Sequence, residues 1–233
     1  MAEGPIVSVR DLYKIYRQGE IDVTALNNVA LDIQRGEFVV LMGPSGSGKS
    51  TLLHIIAGVD RPTRGQVLVQ GINVARLNES QLAAWRNQSV GFVFQSFNLL
   101  SRLTALGNVE LPLRYAGITE GRRERAKAAL EAVGLENRMN HRPYELSGGQ
   151  QQRVAVARSL VNNPAIIMAD EPTGNLDSKV GKEIMNLLLN LNKERGTTLI
   201  IVTHDPKIAE QTQRVIRLRD GELDTSEENG GRK

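Results

Sequence analysis

Cysteine is absent from all 233 residues. That removes disulfides, thiolate metal sites and cysteine nucleophiles together, and it fits a reducing compartment. A field of one sign is missing too: 29 Lys and Arg against 26 Asp and Glu leave a formal net charge of only +3, so composition implies no attraction to nucleic acid. Aromatic residues are scarce at 4%, yet with 40% apolar and 24% charged residues the balance is that of a folded globular chain and not a disordered one. Long hydrophobic runs are missing as well. Phe38-Val39-Val40-Leu41-Met42 and Ala165-Ile166-Ile167-Met168-Ala169 fall far short of the ~20 apolar residues of a membrane helix. The start, Met1-Ala2-Glu3-Gly4-Pro5, lacks the basic-then-apolar order of a secretory leader. The expectation is a soluble chain whose membrane role, if it has one, comes through a partner.

What is present is organised around strand ends. The length suits one α/β domain, or one with a small inserted lobe, and short β-rich runs between longer helical patterns predict parallel-sheet units. Four of these runs hand over to something polar. Phe38-Val39-Val40-Leu41-Met42 leads into a Gly-rich loop, Val90-Gly91-Phe92-Val93-Phe94 ends at Gln95, Ile166-Ile167-Met168-Ala169 ends at Asp170-Glu171, and Leu199-Ile200-Ile201-Val202-Thr203 ends at His204. Ligands of open α/β sheets bind beyond the carboxyl ends of the strands, so the four endings are expected to share one rim. Gln95 or His204 alone would read as a polar residue closing a buried strand; four endings around one loop point to an active site.

The Gly-rich loop, Gly43-Pro44-Ser45-Gly46-Ser47-Gly48-Lys49-Ser50, fits G-x-x-x-x-G-K-[ST]. Its glycines let backbone N–H groups turn toward a β-phosphate while the following helix points its positive end at the same oxygens. Lys49 is placed to reach the β- and γ-phosphates, the Ser50 hydroxyl to bind Mg²⁺, and Thr51 to reach the α-phosphate. Asp170, closing an apolar run, suits an acid that holds Mg²⁺ through water. A second anion site is suggested by Leu146-Ser147-Gly148-Gly149-Gln150: a hydroxyl, two glycines and the positive start of a helix. A plain helix N-cap at Ser147 is the competing reading.

Together, the loop, Ser147-Gly148-Gly149-Gln150 and Asp170-Glu171 make the chain resemble the ATP-binding subunit of ATP-binding-cassette (ABC) transporters. The likeness runs over nearly the whole length. It implies an α/β P-loop NTPase, RecA-like core with an antiparallel β subdomain, at residues 1–95 and 156–233, and an inserted α-helical subdomain at 96–155. The residues themselves agree: the first ~35 and residues 66–70 alternate as an antiparallel edge sheet would, and residues 121–133 are rich in Arg, Lys, Glu and Ala before Gly134. The tail after Gly221, reading Asp224-Thr225-Ser226-Glu227-Glu228-Asn229-Gly230-Gly231, is polar and expected to fray.

The resemblance also assigns roles. Glu171 is similar to the family's catalytic base, Gln95 to the residue that joins Mg²⁺ or the attacking water to the helical lobe, and His204 to the residue that contacts the γ-phosphate and arranges Glu171. Two subunits pair head to tail on ATP and Mg²⁺, each closing the other's nucleotide with residues 147–150. Asn175-Leu176-Asp177 resembles the loop that crosses this interface, and Asp177 counts among the nucleotide contacts, although many members carry a serine where Gly174 or Asn175 stands. Tyr16, preferred to Tyr13, resembles the ring that stacks on adenine. His54 and His141 are read as structural, and residues 122–127 as a solvated helix face.

Phe94-Gln95-Ser96-Phe97-Asn98-Leu99-Leu100 and Asn108-Val109-Glu110-Leu111-Pro112-Leu113 resemble the branch that serves lipoprotein release and macrolide-type or peptide export. Part of residues 97–106 would then line a groove for a short helix of an integral membrane transporter subunit. The chain is expected to lie on the cytoplasmic face of the membrane through such partners. A non-transport cassette ATPase acting on nucleic acid or ribosomes is the alternative. Those carry long coiled coils or two cassettes in one chain, and this sequence has neither. A P-loop kinase would leave residues 147–150 and His204 unemployed.

Overall fold

The computed structural model describes residues 4–224. The first three residues of the expected leaderless start lie outside the described residues. Of the tail expected to fray after Gly221, Glu222 and Leu223 instead pair antiparallel with Arg219 and Leu218, and the part from Thr225 onward lies outside the described residues. In chain order the elements are β1 (Val7–Gln18), β2 (Ile21–Ile33), β3 (Phe38–Met42), α1 (Lys49–Ile56), β4 (Arg64–Val69), β5 (Ile72–Asn73), α2 (Glu79–Ser89), β6 (Val90–Val93), α3 (Ala105–Tyr115), α4 (Arg122–Glu131), α5 (Gly148–Leu160), β7 (Ile166–Asp170), α6 (Ser178–Arg195), β8 (Thr198–Val202), α7 (Pro206–Ala209), β9 (Arg214–Arg219) and β10 (Glu222–Leu223). They form two compact units, residues 4–77 with 202–224 and residues 78–201.

In the first unit, strands in the order β2-β1-β4-β5 make an antiparallel sheet, as the alternation of the early residues predicts. Val7, Val9, Leu12, Leu26, Val29 and Ile33 turn inward and are fully buried. Each such side chain contributes roughly 1.5–3 kcal/mol of transfer free energy. The β1–β4 register jumps between Arg10 and Tyr13, where Asp11 has φ 47°. Gly65 faces this bulge, and a Cβ there would stand 2.3 Å from the Asp11 carbonyl oxygen. The remaining strands run β10-β9-β3, with β3 and β9 parallel. β3 is buried from Phe38 to Leu41, as a strand covered on both faces must be.

In the second unit the strand order is β8-β7-β6, and β6 pairs parallel with β7. β7 buries four apolar residues and then emerges at Asp170. α5 packs close to β6: a Cβ on Gly91 would lie 2.4 Å from the Ser159 carbonyl oxygen. Small and β-branched residues such as Val154, Ala155, Val156 and Ala157 fill its buried face. α4 ends before Gly134, whose φ is 72°. Its basic residues are less solvated than the sequence suggests. Arg122 donates to the Ile118 carbonyl and lies 3.8 Å from the Glu110 carboxylate, while Arg125 donates to the Val161 carbonyl. No helix among the described residues is long and apolar enough to cross a membrane.

Candidate nucleotide site

The residues singled out by sequence fall into a cluster within each unit. In the first, β3 ends at Met42 and the chain turns through residues 43–48 into α1. Gly43 (φ 147°) and Gly48 (φ 96°) are demanded by crowding as well as by dihedral angle. A Cβ on Gly43 would sit 2.1 Å from the Leu218 carbonyl oxygen, and one on Gly48 2.4 Å from that of Ala25. The loop is thus pressed against β9 and β2, and only its outer side, Pro44, Ser45 and Gly46, is exposed. Ser47 is 2% exposed, and its N–H donates to the Pro44 carbonyl. α1 begins at Gly48 with no side-chain cap and no acid in its first turn, so its own first turn does not neutralise its positive end. Lys49 Nζ donates to the Pro44 carbonyl at 2.7 Å and reaches the Ser47 hydroxyl at 3.4 Å. The ammonium therefore lies across the loop. Ser50 and Thr51 follow it, half-buried.

Two more candidates join this cluster. The Thr203 N–H donates to the Leu41 carbonyl, which brings exposed His204 out beside the carboxyl end of β3. Tyr16 donates its hydroxyl to Asp60 Oδ2 at 2.6 Å, and Lys14, 4.5 Å above the ring, pairs with Oδ1 of the same carboxylate at 2.7 Å. Burial raises the Tyr16 pKa, the bond to Asp60 adds to it, and a side-chain hydrogen bond with Thr51 opposes it. Tyr16 accordingly sits beside the residue that follows the loop. Burial works against the charge on Asp60, but the hydrogen bonds from Lys14, Tyr16 and the Arg61 N–H outweigh it and hold the carboxyl below its ordinary range. Tyr13 differs, because one face of its ring is covered by the Arg64 guanidinium at 3.6 Å. Lys14 and Asp60, which fix Tyr16, carry no motif and are 46 residues apart.

In the second unit, Gln95 follows β6 and Asp170-Glu171 ends β7. Glu171 is held at φ 46°, a left-handed conformation that a non-glycine residue keeps only when its surroundings enforce it. Gln95 is exposed and tied to Asn175, whose Nδ2 donates to the Gln95 carbonyl at 3.0 Å, with a longer 3.5 Å contact between the two side-chain amides. A Cβ on Gly174 would lie 2.6 Å from Gln95 Nε2, so Asn175 and Gly174 shape this contact between the two loops. Residues 147–150 open α5 as a capping box: the Ser147 hydroxyl accepts from the Gln150 N–H at 3.3 Å, and the Gln150 side chain accepts from the Ser147 N–H at 3.0 Å. Such a cap is worth about 1 kcal/mol. Gly148 lies against Leu176 and Phe97, and Gly149 against Val180. Asp177 caps α6, accepting from the Lys179 and Val180 N–H groups.

Of residues 97–106, Ala105 and Leu106 are core. Leu100 is 49% exposed but its backbone is fixed by Asn108, fully buried, which accepts from the Leu100 N–H and donates to the carbonyls of Leu100, Leu103 and Thr104. His54 lies in the last turn of α1. His141 lies 3.0 Å from Arg138 Nη1. Both positions suit structural histidines. The sequence reading missed Asn108, Gln152 and Arg158. For Gln152 a signal existed: it shares a helix face with Ala155, Val156 and Ser159, where a polar residue has to be explained.

Comparison with known proteins places this geometry. A family description, "ABC transporter", matches residues 26–174. An uncharacterized ABC transporter ATP-binding protein of Thermotoga maritima is 53% identical over 97% of this chain and 96% of its own length. The macrolide export ATP-binding/permease protein MacB of Syntrophobacter fumaroxidans is 49% identical over 94% of this chain, which spans only 31% of that protein. Among solved structures, the cassette MJ0796 in a dimeric post-hydrolysis state bound to ADP and Pi superposes with a TM-score of 0.87 at 51% identity, covering 94% of this chain and 96% of that one. The chain belongs to the ABC transporter family and has the α/β fold of its ATP-hydrolysing cassettes.

Proposed function

We propose that this chain hydrolyses ATP as one of two copies that close head to tail over two nucleotides and drive an integral membrane transporter subunit. The observation that carries the reading is the start of α1. A helix whose first turn has neither a side-chain cap nor an acid, preceded by a lysine-bridged glycine loop, is built to receive a polyphosphate. Residues 43–51 hold the phosphates and Tyr16 stacks on the adenine. Glu171 takes a proton from the attacking water, and His204 contacts the γ-phosphate. Ser147 to Gln150, with Asp177, close the nucleotide of the other copy; the dimeric state of MJ0796 supports this arrangement.

The donors proposed for Mg²⁺ are all oxygens: the Ser50 hydroxyl, the Gln95 amide and the Asp170 carboxylate. No group of three or more His, Asp or Glu side chains among the described residues is placed to hold a metal. Mg²⁺ takes one or two protein carboxylates and completes its shell from phosphate and water. Bound there, it would neutralise charge on the β- and γ-oxygens. Likeness to the export protein MacB supports an exporter, with the chain on the cytoplasmic face through its partner and the exposed Leu100 loop as contact surface.

Glu171→Gln tests the shared site. The variant binds ATP, hydrolyses it roughly 10²- to 10⁴-fold more slowly, and elutes from a sizing column at twice the monomer mass in Mg-ATP. A monomer at every nucleotide concentration overturns the head-to-tail reading.

A further inference from the structure

Gln152, on α5, is fully buried, yet its side chain is polar and does not belong to the nucleotide-binding set above. Its Nε2 donates to the Pro172 carbonyl at 2.6 Å and, at a longer 3.4 Å, to that of Phe94. Both partners only accept, so the amide must present its NH₂ to them and turn its oxygen away. Oε1 is then enclosed with no hydrogen-bond partner among the described residues. A position that needed only filling would be better served by Met or Leu. The donor is what distinguishes glutamine here.

Its two acceptors flank the chemistry. Pro172 follows Glu171, the residue held at φ 46°, and Phe94 precedes Gln95. On the far side of Gln95 the same helix supplies Arg158, which donates to the carbonyls of Phe97 (2.8 Å) and Asn98 (2.5 Å), two consecutive residues in left-handed conformation. α5 therefore grips the backbone before and after Gln95 and immediately after Glu171. Gln152 holds both segments with one side chain.

We propose that Gln152 is a positioning residue for ATP hydrolysis: its amide fixes the segment 171–172 against the segment 94–95, so that the Glu171 carboxylate and the Gln95 amide act on one phosphate. This rests on the roles given to Glu171 and Gln95 above. Because Gln152 is on the helix that opens with residues 147–150, the same bond relays the orientation of that helix to the backbone of the catalytic base.

Steady-state ATPase assays, ATP binding and thermal melting of full-length Gln152→Met, with wild type and Glu171→Gln alongside, test the proposal. Methionine fills the space while removing both the donor and the stranded oxygen. The expected result is a folded protein whose melting temperature falls by no more than a few degrees, since the Pro172 carbonyl loses its donor, a KM for ATP within about twofold, and a kcat lower by roughly 10- to 100-fold, the effect of a small misplacement at a reacting centre. Gln152→Leu gives the same reading if methionine crowds the site. Wild-type kcat in the Met and Leu variants, with Glu171→Gln inactive, overturns the proposal and leaves the assignment of Glu171 standing. Loss of kcat only in step with loss of folding in both variants makes Gln152 a purely structural residue and also overturns it. Near-normal hydrolysis by Glu171→Gln removes the reading beneath it, and the proposal falls with that reading.

Discussion

Two helices of this chain begin under opposite rules. α1 starts at Gly48, in left-handed conformation and without a side-chain cap; α5 starts at Ser147, where hydroxyl and Gln150 amide satisfy each other's backbone N–H groups. A helix start needs acceptors for its first N–H groups, from side chains, water or a ligand. α1 therefore looks outward for an anion, and its lysine already bridges the loop at 2.7 Å. α5 is self-sufficient. The two glycine-containing segments look alike in sequence, but the first leaves its helix start without a side-chain cap and the second closes its own.

Lys49→Ala probes the first rule and carries the largest expected effect. Removing a charged donor worth about 1.5–3 kcal/mol lowers ATP affinity roughly 10- to 150-fold, read by titration of the monomer; unchanged affinity removes the role of Lys49. Ser147→Ala probes the second. Loss of the cap lowers stability by about 1 kcal/mol, and the melting temperature by roughly 2–4 °C, with ATP affinity of the monomer unaltered. If Ser147 also faces the partner's nucleotide, Mg-ATP-driven dimerisation weakens as well. Dimerisation equal to wild type leaves Ser147 a cap and nothing more.

The smallest effect concerns Asp60, which holds Tyr16 beside Thr51 at the start of α1. Its carboxyl titrates lower in the folded chain than in the unfolded one. Its contribution to stability is thus fully present above the ordinary carboxylate pKa of about 3.9 and is lost as pH falls through the lower folded value. For a partly buried pair still open to solvent screening this amounts to about 1 kcal/mol or less. Denaturant titrations between pH 5 and the acid limit, compared with Asp60→Asn, should show a shallower acid slope in the variant; identical slopes would dismiss the contribution.

Legibility in the sequence followed the range of the interactions. The turn from β3 into α1 could be read because Gly43, Gly48 and Lys49 lie close together in the chain. The strand ends could be read because a buried parallel strand is apolar until it emerges, as β7 does at Asp170. The antiparallel sheet of β1, β2, β4 and β5 followed from alternation. The support beneath these residues could not be read the same way. Lys14 meets Asp60 across 46 residues, Gln152 meets Phe94 across 58, and Arg158 meets Phe97 across 61. Periodicity says that such side chains turn inward. It does not say which carbonyl they find.

The sequence by itself determined the fold class and the family, because these depend on local patterns of apolar residues, glycines and charge. Tertiary structure alone decided that Tyr13 is covered while Tyr16 is held by Asp60, that Ser147 and Gln150 cap each other, and that one buried amide grips the backbone beside Gln95 and Glu171. The physical reason is that hydrogen bonds and close packing are satisfied by atoms within about 3 Å, whatever their separation along the chain.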